Sequence, residues 1–301
     1  MRILVTGATG FIGSAFCRLA LSHGHEIAGL MLPTEIPPAH VPASEQMTWL
    51  KGTLAELPWP EIEIFQPEVC VHFAWVATPG VYLESPENEN FLRWSLDLVD
   101  RLRGLGTNHI VGVGTCIEYR ITDASLSEER TPVDPTTLYS RCKNALRETL
   151  EAAARKDGSL FCWGRVFYPY GVGEHPARLC SALIQKFRRG EKLLLKTPHS
   201  TKDYIYIEDL ADAILLTVEK KLSGTINWGT GIGISVRQIA DAVAAMLGRP
   251  ELVAEISPPE KDPLGYVVAD ATKLHQISWK PTHTLKQGLE KLINRLPLPP
   301  T

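Results

Sequence analysis

Tyr139 and Lys143 stand four residues apart in Tyr-Ser-Arg-Cys-Lys. On a helix, positions i and i+4 share one face. An ammonium beside a phenol favours the phenolate and draws the phenol pKa from about 10 toward neutrality. A tyrosine so placed can give a proton to an alcohol or ketone, or take one from it. Upstream, Gly7, Gly10 and Gly13 are spaced G-x-x-G-x-x-G, directly after an apolar run and before a helical pattern. Glycines there let the backbone turn tightly and approach a pyrophosphate. The helix start adds free N–H groups and the positive end of its dipole. Together the two motifs point to proton and hydride chemistry on a dinucleotide. A ribose-binding carboxylate is expected ~20 residues further on, at the end of the second strand. Met31 stands there, with no Asp, Glu or Arg beside it. The cofactor reading is NAD(P). The missing carboxylate favours NADP(H), while the missing Arg leaves a 2′-phosphate without a partner.

These groups need elements to position them. Residues 2–6, 26–32, 47–51, 69–74 and 110–114 are short apolar runs that read as strands. Residues 14–22, 88–105 and 138–156 read as helices, the first ended by Gly24 in a left-handed cap. Strands alternating with helices predict an α/β fold, a Rossmann-type doubly wound parallel sheet. The second half reads as a smaller α+β lobe. Strands are expected at 160–167, 193–196 and 225–228, a Gly/Pro-rich loop at 169–178, and helices at 179–189, 207–220, 235–247 and 285–296. The expected division is a dinucleotide-binding domain over 1–165, with 203–230 partly returning to it. A substrate lobe takes most of 166–301.

Composition sets outer bounds. The 301 residues are 44% hydrophobic and 22% charged, enough apolar material for a core, and the net charge of -3 argues against a nucleic-acid surface. No run reaches the ~18 apolar residues of a membrane span, and the N-terminus opens on a strand rather than a signal peptide, so a cytoplasmic protein is expected. The six cysteines (17, 70, 116, 142, 162 and 180) form no C-x-x-C pair and read as small buried residues. His23 and His25 read as a solvated turn, and no metal site is expected.

The motifs together resemble the extended, sugar-nucleotide-modifying branch of the short-chain dehydrogenase/reductase superfamily, over nearly the whole chain. The stretches that carry the resemblance are T-G-A-T-G-F-I-G at 6–13, V-H-F-A at 71–74, Y-S-R-C-K, R-V-F-Y-P-Y-G-V-G-E at 165–174 and K-D-Y-I-Y-I-E-D-L at 202–210. A-D-A-T-K-L and S-W-K-P close the pattern. The resemblance implies that Tyr139 is the catalytic acid/base and that Lys143 lowers its pKa and binds the nicotinamide ribose. It also implies that Thr115, in V-G-V-G-T-C-I-E-Y, hydrogen-bonds the reacting oxygen. Cofactor contacts are implied for Gly7, Thr9, Gly10, Phe11, Ile12 and Gly13, for Met31, and for Phe73, Ala74, Trp75 and Val113. Tyr168 and Pro169 are expected to approach the nicotinamide, with Tyr168 replacing the family's frequent Asn. Thr53 and Leu54 occupy the adenine position, where the family often has an Asp. Asn90 is read as the helix asparagine of relatives.

The dehydratases of this branch carry an Asp-Glu pair immediately after the Thr. Cys116 and Ile117 stand there instead and cannot eliminate water as a pair. What remains is hydride transfer at one carbon, and T-C-I-E-Y at 115–119 resembles the reductases of nucleotide-linked 4-keto-6-deoxy sugars, so the resemblance implies such a ketoreductase as the first reading. The alternatives are a nucleotide-sugar epimerase, at C4 or at C3/C5 with Cys116 and His175 as acid and base, and a non-catalytic NAD(P) sensor. The substrate contacts expected are Trp75, Tyr82, Asn90, Thr115, Cys116, Tyr168, His175, Arg178 and Lys202. Arg178 and Lys202 would face the diphosphate. A homodimer is expected through a four-helix bundle of the helices at 88–105 and 138–156.

Overall fold

The computed structural model describes residues 1–255 and 258–297. In chain order the first elements are β1 (Arg2–Thr6), α1 (Phe11–Ser22), β2 (Glu26–Met31), β3 (Met47–Lys51), α2 (Trp59–Phe65), β4 (Val69–His72), α3 (Glu87–Gly104), β5 (His109–Thr115), α4 (Leu138–Asp157) and β6 (Leu160–Val166). There follow β7 (Tyr168–Tyr170), α5 (Leu179–Arg188), β8 (Leu193–Leu195), β9 (Thr201–Tyr206), α6 (Ile207–Glu219) and β10 (Gly224–Trp228). The last are β11 (Gly233–Ser235), α7 (Val236–Met246), β12 (Val253–Glu255), β13 (Tyr266–Val267), α8 (Thr272–Gln276) and α9 (Leu285–Arg295). The chain forms two compact units: Met1–Tyr119 with Val133–Val166 and Ala211–Ile226, and Arg120–Pro132 with Phe167–Leu210 and Asn227–Thr301. Residues 120–132, read from sequence with the first domain, thus belong to the second unit.

The first unit holds a Rossmann-like seven-stranded sheet in the order β10-β6-β5-β4-β1-β2-β3. The pairings from β3 through β6 are all parallel. Its central strands are apolar without alternation because both faces are covered. Ile3, Val5, Cys70, Val71, Ile110 and Val111 are all fully buried. On one face, Leu4, Ala28, Cys70 and Ile110 pack with Leu98, Val99 and Leu102 of α3 and Leu146 and Leu150 of α4. The chain runs outward from β1 through β2 to β3, then returns to place β4 on the other side of β1. That reversal opens the crevice where doubly wound sheets bind ligands, at the carboxyl ends of β1 and β4. The glycine loop follows β1 directly.

Several elements lie where the sequence reading assigns none, α2 and β9 among them. Prolines 58 and 60 flank the first residue of α2. Proline is tolerated in the first turn of a helix, where its missing N–H has no partner to lose. Strand β9 does not read as a strand because its residues 202 and 203 are charged. In the second unit β9 is central, antiparallel to β11 and parallel to β13 and β7. Both charges are buried and paired there: Lys202 with Asp262 at 3.0 Å, and Asp203 with the amides of Thr230, Gly231 and Ala269. Pro169 is a correction as well. It lies buried within β7 rather than opening a loop, on a strand with one bonded neighbour, where proline's missing donor is harmless.

Among the described residues, no helix is long and apolar enough to cross a membrane. No three His, Cys, Asp or Glu side chains among them are grouped to hold a metal. His23 and His25 both reach Glu219 Oε1, at 3.1 and 3.0 Å. All six cysteines are buried and none is in a disulfide.

Candidate cofactor and active site

The glycine loop is shaped by contacts that only glycine allows. Gly7 has φ +65°, and a Cβ there would lie 2.8 Å from the Ala74 nitrogen. A Cβ on Gly13 would lie 2.1 Å from the Gly7 carbonyl oxygen. The chain after β4 therefore passes directly over the loop, and α1 starts tight against it. Gly10 is the N-cap of α1 and is exposed, with Phe11 and Ile12 following in the first turn. No side chain caps this helix, and its first turn carries no acidic residue. By contrast α4, α7 and α9 each open with a Ser or Thr capping box. An uncapped helix start behind a glycine turn fits a pyrophosphate.

A buried relay holds the crevice. Ala74 N–H donates to Thr6 Oγ1 at 3.2 Å. Thr6 Oγ1 lies 2.7 Å from His72 Nδ1, His72 Nε2 lies 2.8 Å from Ser95 Oγ, and Ser95 Oγ donates to the Phe91 carbonyl. With the serine proton committed, His72 donates from Nε2 and accepts at Nδ1. Burial and the nearby Lys143 push its pKa down to about 3, so it stays neutral. Phe73 extends the wall by packing on Phe16, ring centroids 5.6 Å apart.

Counting from the glycine loop misses a carboxylate. Met31 is buried, so the position reached by counting presents no polar group. Beyond it Leu32, Pro33, Thr34 and Glu35 form a turn, closed by Glu35 N–H donating to the Leu32 carbonyl at 3.0 Å. The turn brings Glu35 back to the loop, where its Oε2 accepts from Thr9 Oγ1 at 2.8 Å and from Leu32 N–H at 3.0 Å. Proline as second residue of Leu-Pro-Thr-Glu is the turn signal that would have found it. Past β3, Thr53 caps the Glu56 amide at 3.0 Å, and Leu54 is a core side chain.

The three residues expected to handle protons lie in the same unit. Thr115 ends β5 and is half-buried. Tyr139 is the second residue of α4, its ring met edge-on by Tyr82 at 4.9 Å and by Trp75 at 6.5 Å. Lys143, one turn on, is buried and donates to the Val113 carbonyl at 2.8 Å. Its Nζ lies 3.9 Å from the Trp75 ring centroid and 6.0 Å from that of Tyr139. Burial pulls the Lys143 pKa from 10.5 to about 7, against an opposing pull from Glu118. Of the two asparagines on α3, Asn88 rather than Asn90 packs against Trp75. Asn88 is fully buried, donates to the carbonyls of Tyr82 and Ser85, and accepts from Trp75 Nε1 at 2.7 Å. Asn90 instead pairs with Glu87 and Arg93 on the helix surface.

Other sequence assignments shift. Cys116 is 4% exposed, within a short 3₁₀ turn (Cys116–Glu118), so its thiol is not presented as an acid or base. In the second unit, His175 is exposed and its Nδ1 accepts from Ala177 N–H at 3.1 Å. Arg178 is half-buried at the N-cap of α5. Tyr168 is half-buried, its ring centroid 5.8 Å from that of Tyr204 and 5.8 Å from Lys202 Nζ. Lys202 is buried and held by Asp262 and by the Leu264 carbonyl, so its reading as a cation presented to a diphosphate is withdrawn.

A family model described as the NAD dependent epimerase/dehydratase family matches residues 3–229. The UDP-glucose 4-epimerase of Corynebacterium glutamicum is 28% identical over 94% of this chain and 92% of its own. The structure of the Thermus thermophilus UDP-glucose 4-epimerase with NAD superposes with a TM-score of 0.85 and 27% identity, covering 98% of both chains. A dTDP-glucose 4,6-dehydratase of Bacillus anthracis shares the fold, with a TM-score of 0.85 at 21% identity over 98% of this chain and 96% of that one. The glycine loop at the sheet's switch point and the Thr115, Tyr139 and Lys143 group lie within the matched residues, and the chain belongs to the NAD dependent epimerase/dehydratase family of NAD-using enzymes.

Proposed function

We propose that the protein is a nucleotide-sugar 4-epimerase acting on a uridine-diphosphate hexose. The observation that carries this reading is the proton-handling group Thr115, Tyr139 and Lys143 on a Rossmann unit with Cys116 and Ile117 where a dehydratase needs an acid and a base. Whole-length similarity to UDP-glucose 4-epimerases supports the choice. The epimerase alternative thereby displaces the 4-ketoreductase as the first reading, and the buried Cys116 thiol speaks against the C3/C5 variant.

The glycine loop and the start of α1 would hold the cofactor pyrophosphate, Glu35 the adenosine ribose and Lys143 the nicotinamide ribose. When bound, NAD would supply the acceptor for the hydride of the sugar C4 and the donor of that hydride back to the ketone. Tyr139 takes the C4 hydroxyl proton as the C4–H bond breaks, and gives it back when that bond re-forms. Thr115 donates a hydrogen bond to the same oxygen, and the Lys143 ammonium favours the phenolate. No net oxidation results. In the second unit, Arg178 is the cation assigned to the diphosphate.

The test is incubation with UDP-glucose or UDP-galactose, followed by product NMR and NADH absorbance. Either sugar should convert to a mixture of both without net change in NADH. Stoichiometric consumption of NAD(P)H on a 4-keto sugar would restore the reductase reading, and no turnover of any nucleotide sugar would remove both.

Glu35 leads us to expect NAD rather than NADP, against the balance drawn from sequence. A carboxylate at the ribose hydrogen-bonds a 2′-hydroxyl and repels a 2′-phosphate. Fluorescence titration should show NAD⁺ binding at least ~10-fold tighter than NADP⁺, and Glu35→Ser should narrow that ratio by ~10-fold or more, since like-charge contact costs several kcal/mol. An unchanged ratio in the variant would refute the role.

A further inference from the structure

Glu118 has no role in the reading from sequence, yet it is the most tightly held carboxylate near the proton-handling group. Thr115 is the N-cap of the Cys116–Glu118 turn, and Glu118 closes it. Thr115 N–H donates to Glu118 Oε1 at 2.8 Å. The carboxylate is fully buried. Its Oε2 also accepts from Arg165 Nε at 2.7 Å and Trp163 Nε1 at 3.1 Å. Arg165 is 2% exposed, with its guanidinium 4.2 Å from the Tyr119 ring centroid. Gly114 admits this packing, because a Cβ there would lie 2.2 Å from Trp163 Nε1 and 2.6 Å from Glu118 Oε1. The turn also reaches toward Tyr139: the Glu118 carbonyl accepts from Asp134 N–H at 2.8 Å, and Tyr119 bridges Val133 on the approach to α4.

A buried ion pair is weak evidence for stability, since apolar residues of similar volume often replace both partners at no cost. A cap for a three-residue turn does not need one. What the pair does accomplish is to fix a backbone: the clamped carboxylate holds the Thr115 amide, and with it the main chain from which the Thr115 hydroxyl is presented. We propose that Glu118, clamped by Arg165 and Trp163, is a positioning residue that holds the Thr115 amide so that its hydroxyl is presented to the reacting sugar oxygen. This rests on the epimerase reading only for the identity of that oxygen. Glu118 also opposes the loss of charge on Lys143, so one buried anion serves both partners of Tyr139.

Two double variants that differ in one hydrogen-bond acceptor test this. Glu118→Leu/Arg165→Met removes the charge pair and the acceptor for Thr115 N–H. Glu118→Gln/Arg165→Met removes the same charges but keeps a carbonyl oxygen in reach of that amide. The leucine variant should lose ~30-fold or more in kcat, in the range of losing one transition-state donor, with substrate KM and NAD⁺ affinity within ~3-fold of the parent. The glutamine variant should recover most of that loss at a similar Tm. Equal kcat in the two, or losses that track Tm, would overturn the proposal. So would failure of both to bind NAD⁺, because the pair would then be holding the fold. An activity-independent readout separates this from the epimerase reading. Hydrogen exchange at the Thr115 amide should be slow in the parent and glutamine variant and fast in the leucine variant. Slow exchange in all three would sink the positioning role whatever the substrate, whereas slow exchange lost only with leucine, in a protein that turns over no nucleotide sugar, would sink the function and leave the positioning intact.

Discussion

Tyr139→Phe should lower kcat by ~10²–10⁴, the usual contribution of a positioned general acid/base, and leave NAD⁺ binding and Tm nearly unchanged. The surroundings of the ring explain why so large a functional loss can come with so small a structural one. Tyr82 and Trp75 meet the tyrosine ring edge-on. The Tyr139 backbone is fixed separately, its N–H donating to the Leu83 carbonyl at 2.9 Å. Phenylalanine keeps the ring, its edge contacts and the helix start, and removes one oxygen. That oxygen is the one to which the proposed function assigns the proton transfer. It stands in the first turn of α4, where the helix dipole favours negative charge, one turn from the Lys143 ammonium. Turnover, NAD⁺ titration and thermal denaturation on the same preparation check the expectation. A variant within ~10-fold of the parent kcat would remove Tyr139 from the chemistry, and a variant that no longer bound NAD⁺ would mark it as a packing residue.

The parts of this site legible in sequence are those whose backbone role restricts residue type. Gly7 and Gly13 are forced by close approach of backbone, and the i, i+4 spacing of Tyr139 and Lys143 is forced by the helix. The central strands were legible because both faces are buried, which leaves uninterrupted apolar runs. The misses have a different character. Glu35 reaches the glycine loop only because a proline turn folds the chain back, so counting along an ideal strand end landed on buried Met31. Strand β9 carries two buried charges whose partners, Asp262 and the amides after β10 and β13, lie far away in the chain. Asn88 and Asn90 share a helix and a residue type, and only the packing of Trp75 distinguishes them. Glu118 looks like an ordinary surface acid until Trp163 and Arg165, on the neighbouring strand, close around it. Long-range pairing of polar groups is what one sequence, read locally, does not display.

Lys143→Met should be less active yet more stable than the parent at pH 6. The activity loss, ~10²-fold or more in kcat, follows from removing the cation that favours the Tyr139 phenolate. The gain in stability follows from burial. The Lys143 ammonium is fully enclosed, and neither the Val113 carbonyl nor the Trp75 face offsets its lost hydration, so the folded-state pKa falls from 10.5 to about 7. The sign is fixed by proton uptake: between pH 7 and 10 the unfolded chain holds this proton and the folded protein does not, so unfolding is opposed more strongly as pH rises. Below pH 7 both states hold it, and the cost of burying the charge is fully present. Denaturant unfolding of cofactor-free protein should therefore show the parent gaining about 2 kcal/mol more than Lys143→Met between pH 7 and pH 9. The same titration bears on rate. Because kcat/KM reports the free enzyme, it should fall as pH rises through about 7 in the parent, and that step should be absent in the variant. A parent whose stability and kcat/KM are both flat from pH 7 to 9 would mean that Lys143 keeps its charge throughout, and the coupling between its burial and the Tyr139 proton would be lost with it.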